Sequence, residues 1–296
     1  MKVVIAGSSG LIGTALKESL NADGHDVIAL VRRESRGPQE SSWDPASGRI
    51  DHDLLASADA VVNLAGASIG RKRLTDSYAK VVLQSRLDAT GTIARSLADH
   101  DFAGVLVQGS AMGYYGDRGE EKLTERSGAG STLLASIVTQ WEAAAQPAVD
   151  AGVRTVFTRT GLVLAPHGGF AERLLPLVKR GLLRSLGKGD AWHAWVALPD
   201  HVRALRFLID SEHRGPVNCI APAAVRDVQL MRALSEAAGR SPGVSVPAWA
   251  LRIAIGPAIE DLLSSQNATP GVLSRLGFQW DLPFIDAAAR YVTEQR

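Results

Sequence analysis

Near residue 7, three glycines follow directly on a short apolar segment. Val3-Val4-Ile5-Ala6 runs without a polar break into Gly7-Ser8-Ser9-Gly10-Leu11-Ile12-Gly13, and a helical pattern extends from Leu11 to Leu20. An unbroken apolar run of this length is the pattern of a parallel strand buried on both faces. Gly24 in Ala-Asp-Gly-His closes the helix, and 27–31 is a second strand. A tight strand-to-helix turn needs one glycine. Three at this spacing clear every Cβ from the path of a pyrophosphate, while the helix N-terminus offers it free N–H groups and partial positive charge. Strand, spacing, closed helix and following strand agree on a dinucleotide site.

The rhythm continues. Strands are expected at 60–64, 105–107 and 153–158, with helices at 75–97, where Thr75 can cap, and at 131–149. Such alternation predicts an α/β fold, a Rossmann doubly wound parallel sheet with right-handed crossovers. Beyond residue 165 glycine and proline become frequent, and helical stretches near 170–180, 201–210, 228–238 and 247–255 alternate with short strands. At 296 residues the chain can hold one large domain or two small ones. The expected division is a Rossmann domain over 1–165, rejoined by 197–222, and a smaller, mainly helical substrate-binding lobe over 166–296. A ligand crevice is expected at the switch point between them.

The second strand ends in Arg32-Arg33. An NAD-preferring site would place a carboxylate here for the ribose 2′-OH. Two guanidiniums instead suit a 2′-phosphate, and without a ligand they would be solvated surface groups. The reading is NADP(H) over NAD(H). Asn63-Leu64-Ala65-Gly66 leaves its strand on the adenosine-diphosphate side of such a cofactor, or is a plain strand exit. Arg86 falls on the helix stripe of Val82, Thr90, Ile93 and Leu97. An arginine on a buried face has an anionic partner: a structural carboxylate, or a cofactor phosphate or ribose.

Composition removes other functions. Lys and Arg total 32 against 31 Asp and Glu, and aromatics are 5%, so neither a nucleic acid nor an anionic membrane finds its electrostatic or stacking partner. Residues 3–16 form an uncharged run of 14 residues, broken by the glycines and short of a bilayer span. A single Cys219 excludes a disulfide framework, and the seven histidines show no metal-ligand spacing, so no metal is expected. No Gly-x-Ser-x-Gly elbow supports a hydrolase. Arg71-Lys72-Arg73 is a loop cluster, solvated or anion-binding, and His193 between Trp192 and Trp195 is a packed histidine or a crevice group. A cytoplasmic monomer or homodimer acting on a small molecule is the expectation.

The chain resembles the extended branch of the short-chain dehydrogenase/reductase superfamily, and more narrowly the epimerase-like SDR39U family. The resemblance rests on Gly7–Gly13, Trp43-Asp44-Pro45, Asn63–Gly66, Ser85-Arg86, Ser110-Ala111-Met112-Gly113-Tyr114-Tyr115-Gly116-Asp117, Trp141-Glu142, Arg159-Thr160-Gly161, Trp192 with Trp195, Gly215-Pro216-Val217-Asn218 and Leu263-Ser264-Ser265-Gln266. It implies a Rossmann domain binding NADP(H), a C-terminal substrate lobe, and Thr160-Gly161-Leu162 near the nicotinamide. Superfamily catalysis uses a Tyr-x-x-x-Lys pair and a serine or threonine hydroxyl. Here the tyrosines are 78, 114, 115 and 291, and four residues on stand Val82, Arg118, Gly119 and Gln295. The pair is missing. Its positions fall near Leu134 and Val138, and the serine position at Ala111 beside Ser110, while Arg86 stands where an active-site asparagine is usual. Tyr115, Tyr114 and Ser110 are the candidate acid/base groups, with packing the competing role for the two tyrosines. Three functions follow: an NADP(H)-dependent oxidoreductase or epimerase-like enzyme, a non-catalytic NADP(H)-binding sensor or scaffold, and an ordinary nucleotide-sugar epimerase, which the missing pair disfavours.

Overall fold

Seven parallel strands form the central sheet: β1 (Lys2–Ala6), β2 (Asp26–Val31), β3 (Glu40–Ser42), β4 (Ala60–Asn63), β5 (Val105–Ala111), β6 (Arg154–Thr160) and β7 (Gly215–Cys219). The computed structural model describes residues 1–69, 74–247, 249 and 263–294, with backbone alone at 170–173. The order across the sheet is β7-β6-β5-β4-β1-β2-β3. β1 pairs with β2 on one side and β4 on the other, Val3 lying opposite Val27 and Ala60. The chain therefore reverses its direction of travel across the sheet at β1, the switch point beside which doubly wound sheets bind ligands. Val3, Val4, Ile5 and Ala6 are fully buried, as their unbroken apolar run requires.

Helices α1 (Leu11–Ala22), α2 (His52–Ala56), α3 (Asp76–Asp99), α4 (Leu133–Ala143), α5 (Gln146–Asp150), α6 (Gly169–Lys179), α7 (Leu198–Asp210), α8 (Asp227–Ala237), α9 (Gly271–Arg275) and α10 (Ile285–Glu294) follow in chain order. Leu16 and Leu20 of α1 and Leu205 and Leu208 of α7 bury one face of the sheet. Ile93 and Leu97 of α3 and Ala148 of α5 bury the other. Thr75 caps α3, its hydroxyl accepting from Tyr78 N at 3.2 Å.

The helix expected at 131–149 is two. Thr132 caps α4, and Pro147, which has no N–H to continue a ladder, lies in the first turn of α5. β5 runs on past residue 107 and carries Ser110 within the strand rather than after it; its polar Gln108 is buried because Asn63 Nδ2 donates to it at 2.9 Å.

A second core, with Leu174, Leu186, Trp195, Leu230 and Ala288, joins α6, α8 and α10. Short strand pairs stiffen it: 162–164 with 195–197, 183–186 with 244–246, and 192–193 with 225–226. This region is therefore helices held by ribbons. The Asp200 carboxylate of α7 accepts the N–H groups of Asp281 and Leu282 at 2.8 and 2.9 Å, tying the approach to α10 back onto the sheet layer. The helix expected at 247–255 falls largely outside the described residues, as does the Arg71–Arg73 cluster. Among the described residues no helix is long and apolar enough to cross a membrane.

Candidate functional site

The glycine turn has almost no spare room. Gly7 sits at φ +82°, and a Cβ there would lie 2.6 Å from the Leu64 carbonyl; a Cβ on Gly13 would lie 2.3 Å from Gly7 O. Gly10 N donates to Gly7 O at 3.1 Å and Thr14 Oγ1 to Ser8 O at 3.2 Å, which closes the turn. Gly10 caps α1 without a side chain, no acidic residue enters the first helical turn, and the N–H groups of Leu11, Ile12 and Gly13 find no acceptor among the described residues. Those three donors and the helix dipole suit a pyrophosphate oxygen. A glycine cradle and an uncapped donor set are the features a dinucleotide needs, so the residues present fit one.

Ser8 and Ser9 also line a cleft of about 350 Å³ with Thr14, Lys17, Arg33 and Glu40. Arg33 donates to both Glu40 oxygens, at 2.7 and 2.6 Å, and Glu40 also accepts Arg36 N at 2.9 Å. The bonds from Arg33 hold the Glu40 carboxyl down at about 2. Exposed Arg32 makes no hydrogen bond or ion pair with the described residues. The two neighbouring arginines thus differ: one is fixed by a carboxylate seven residues on, and the other is free. Glu40 was not singled out in the sequence, because its short edge strand carries little apolar pattern.

At the exit of β4, Leu64 N extends the ladder to Ala6 O at 2.9 Å and Ala65 N is held by Asn63 Oδ1 at 3.2 Å. Asn63 Nδ2 and Trp141 Nε1 converge on Thr90 Oγ1, both at 3.0 Å. A Cβ on Gly66 would lie 3.1 Å from Arg86 Cζ. Arg86 is half-buried, donates to the carbonyls of Ala67 (2.9 Å) and Val82 (3.0 Å), and stacks on Trp141 with Cζ 4.8 Å from the ring centroid. The structural carboxylate considered for it is absent among the described residues.

Beyond β5 the polar groups are tightly committed. Ser110 Oγ donates to Glu142 Oε1 at 2.5 Å. Arg159 Nε and Nη2 hold both oxygens of Glu142 at 2.9 Å, and its Nη1 donates to Tyr115 Oη at 2.9 Å. Tyr115 Oη donates onward to Asn218 Oδ1 at 2.8 Å. Burial alone would lower the Arg159 guanidinium, but its bonds and attraction to Glu142 outweigh that and raise it. Burial raises the Tyr115 phenol more than Arg159 lowers it. Tyr115 is fully buried and Ser110 nearly so, whereas Tyr114 is half-buried under Arg159, whose Cζ is 3.5 Å from the ring centroid. Of the three candidate hydroxyls, the Tyr114 phenol alone makes no hydrogen bond with the described residues. Leu134 and Val138 are buried and apolar.

Thr160-Gly161-Leu162 crosses from β6 to the second core. A Cβ on Gly161 would lie 2.6 Å from Ala194 O, so this crossing needs glycine. Thr160 Oγ1 is 3.4 Å from Nε2 of fully buried His201, whose Nδ1 has no partner among the described residues. Burial draws His201 down to about 4. The unfolded imidazole, near 6.5, binds its proton first, so stability contributed by the neutral ring is full above that pH and is lost as pH falls towards 4. Urea midpoints measured from pH 7 to pH 4.5 should decline, and His201→Phe should flatten that decline; an unchanged slope would remove His201 as its source. His193 is a packed histidine, Nε2 lying 3.1 Å from buried Asp227. No metal-ligand cluster is present among the described residues.

Fold and turn together define an NAD(P)-binding Rossmann protein of the extended short-chain dehydrogenase/reductase type. Residues 3–220 match the NAD dependent epimerase/dehydratase family, and residues 246–292 match a domain of unknown function, DUF1731. The chain belongs to that epimerase/dehydratase family, in its epimerase-like SDR39U branch. It is 40% identical over 293 residues to the epimerase family protein Mb2239 of Mycobacterium bovis, covering 98% of this chain and 97% of that one. It is 32% identical over 303 residues to human epimerase family protein SDR39U1, covering 99% of both. The crystal structure of human SDR39U1 (isoform 2) with NADPH superimposes with a TM-score of 0.90 at 29% identity, covering both chains fully.

Proposed function

We propose that this protein binds NADP(H) and acts as an oxidoreductase or epimerase-like enzyme on a small molecule, without a Tyr-x-x-x-Lys pair. The observation that carries the reading is the uncapped α1 N-terminus, framed by Gly7 and Gly13, which admit no Cβ, with Arg33 lining the cleft beside Ser8 and Ser9. Leu11, Ile12 and Gly13 N–H groups hold pyrophosphate, Ser8 and Ser9 line its approach, and Leu64, Ala65 and Gly66 follow the adenosine side. Arg32 takes the 2′-phosphate, and Arg33, set by Glu40, completes that corner. Thr160, Gly161 and Leu162 lie at the nicotinamide end. NADPH in the human relative's crystal structure supports the choice of phosphate.

NADP(H), when bound, exchanges hydride with a carbonyl or alcohol carbon, and the oxygen there needs a proton donor or acceptor. Ser110 and Tyr115 are occupied by Glu142 and Asn218, so Tyr114 carries that role in this reading. Residues 1–165 with 197–222 serve the cofactor and 166–296 the substrate. The protein works as a cytoplasmic monomer or homodimer, without nucleic acid or membrane partners.

Nicotinamide fluorescence titrations test the cofactor. NADPH is expected to bind at least about tenfold more tightly than NADH, and Arg32→Ala to remove most of that difference, as loss of a charge-assisted hydrogen bond would. Equal affinities would sink the assignment. A second reading, an NADP(H) sensor without turnover, is favoured by apolar Leu134 and Val138 at the missing pair's positions. Single-turnover oxidation of bound NADPH across a carbonyl panel separates the two. Turnover slowed about 10²–10⁴-fold by Tyr114→Phe supports the enzyme.

A further inference from the structure

Arg86 has donors to spare. Nη1 gives its hydrogens to the carbonyls of Ala67 and Val82, the latter one turn back on α3. The Nε–H and both hydrogens of Nη2 make no hydrogen bond with any described residue, leaving one planar edge of the guanidinium unused. Burial draws the group down to about 10, so its charge is held where water solvates it poorly and no carboxylate among the described residues compensates. A half-buried cation in that state gains from an oxyanion.

The surroundings fix which oxyanion. Trp141, on which Arg86 stacks, has Cζ2 3.2 Å from where a Cβ on Gly109 of β5 would stand, and its Nε1 is held by Thr90. The guanidinium therefore lies by the ends of β4 and β5, beside Gly66 and one strand, about 4.8 Å, along from the pyrophosphate turn at the end of β1. The phosphates of the proposed cofactor already have their own donors, at α1 and at Arg32. One turn before Arg86, Val82 packs with Leu134 and Ile137, so the wall beside it is apolar. A rigid two-donor edge matches the two oxygens of a carboxylate.

We propose that Arg86 is the receptor for a carboxylate of the substrate, seated bidentately on its Nε–Nη2 edge beside Trp141, so that the substrate is a small carboxylate-bearing carbonyl compound or alcohol. This rests on the cofactor reading above and adds the substrate's chemical class to it.

The test labels Arg86 with phenylglyoxal and follows the adduct by peptide mass, using full-length protein saturated with NADP⁺. The probes are pyruvate, 2-oxobutyrate and benzoate, each beside its amide. A carboxylate is expected to slow labelling of Arg86 by about tenfold while its amide does not, in keeping with a charge-assisted bidentate contact. Arg86→Lys and Arg86→Gln are expected to titrate with NADPH within about threefold of the parent protein, since less than 0.7 kcal/mol then separates them. If no carboxylate protects, the proposal is overturned. It is equally overturned if NADP⁺ alone protects fully and Arg86→Gln loses NADPH, for the guanidinium then serves a cofactor phosphate. Failure of the parent protein to bind NADPH at all is a separate result and sinks the cofactor reading. Carboxylate protection of the cofactor-free protein would then still support Arg86 as the receptor.

Discussion

Arg159→Ala is expected to cost about 3–5 kcal/mol of folding stability, a large share of the roughly 5–15 kcal/mol that holds a domain together. The Arg159 side chain is 4% exposed and Glu142 14%, and the pair is joined by two bonds of 2.9 Å. Removing the guanidinium leaves a nearly buried carboxylate with Ser110 as its remaining donor among the described residues, and strips Tyr115 of a donor and Tyr114 of its stacked cation. The pair also ties α4 to the ends of β5 and β6, so the loss reaches three elements. Urea denaturation gives the number directly. Arg159→Met combined with Glu142→Leu should recover most of it, because replacing both charges by apolar groups removes the uncompensated carboxylate. A single variant within 1 kcal/mol of the parent would show that water reaches Glu142 and that the network is not a buried one.

What could be read along the chain was what depends on neighbours in sequence. β1, the glycine turn, α1 and its closure at Gly24 are signalled within a few residues of one another, and the Thr75 cap sits next to the helix it starts. Arg86 was placed on the inner stripe of α3 by periodicity alone. Its lack of a carboxylate could not be read, since a partner's absence depends on every element packed around it. The Ser110–Glu142–Arg159 network joins residues 32 and 17 positions apart on a strand, a helix and another strand. Periodicity carries no signal across such distances. Ser110 therefore stands in the sequence as a candidate acid/base group, and nothing there marks Glu142 as its partner. The same holds for Glu40, whose bond to Arg33 depends on β3 joining the sheet edge beside β2. The break between α4 and α5 was the local signal passed over, for Pro147 announces it.

Gly13→Ala separates the steric demand of the turn from every other property of the helix. Position 13 lies inside α1 at ordinary helical φ, where alanine should stabilise by about 1 kcal/mol over glycine. The added Cβ, however, would stand 2.3 Å from Gly7 O and 2.8 Å from Ser8 Cα, both backbone atoms that cannot swing aside. Overpacking of this kind costs about 1–3 kcal/mol, so the substitution should destabilise despite the better helix former. The turn relieves the clash by moving Gly7 and Ser8 away from α1, which spoils the approach to its three free N–H groups. NADPH affinity should then fall by about a hundredfold, the loss of two charge-assisted hydrogen bonds. Gly10→Ala is the complement, because its nearest protein contact is an ordinary 3.4 Å to Gly7 O while its Cβ would stand in the path of the pyrophosphate, so it should keep the parent's stability and lose NADPH affinity. Fluorescence titration of both variants decides the matter. If Gly13→Ala bound NADPH like the parent, close packing of strand, turn and helix would not be what shapes the phosphate seat.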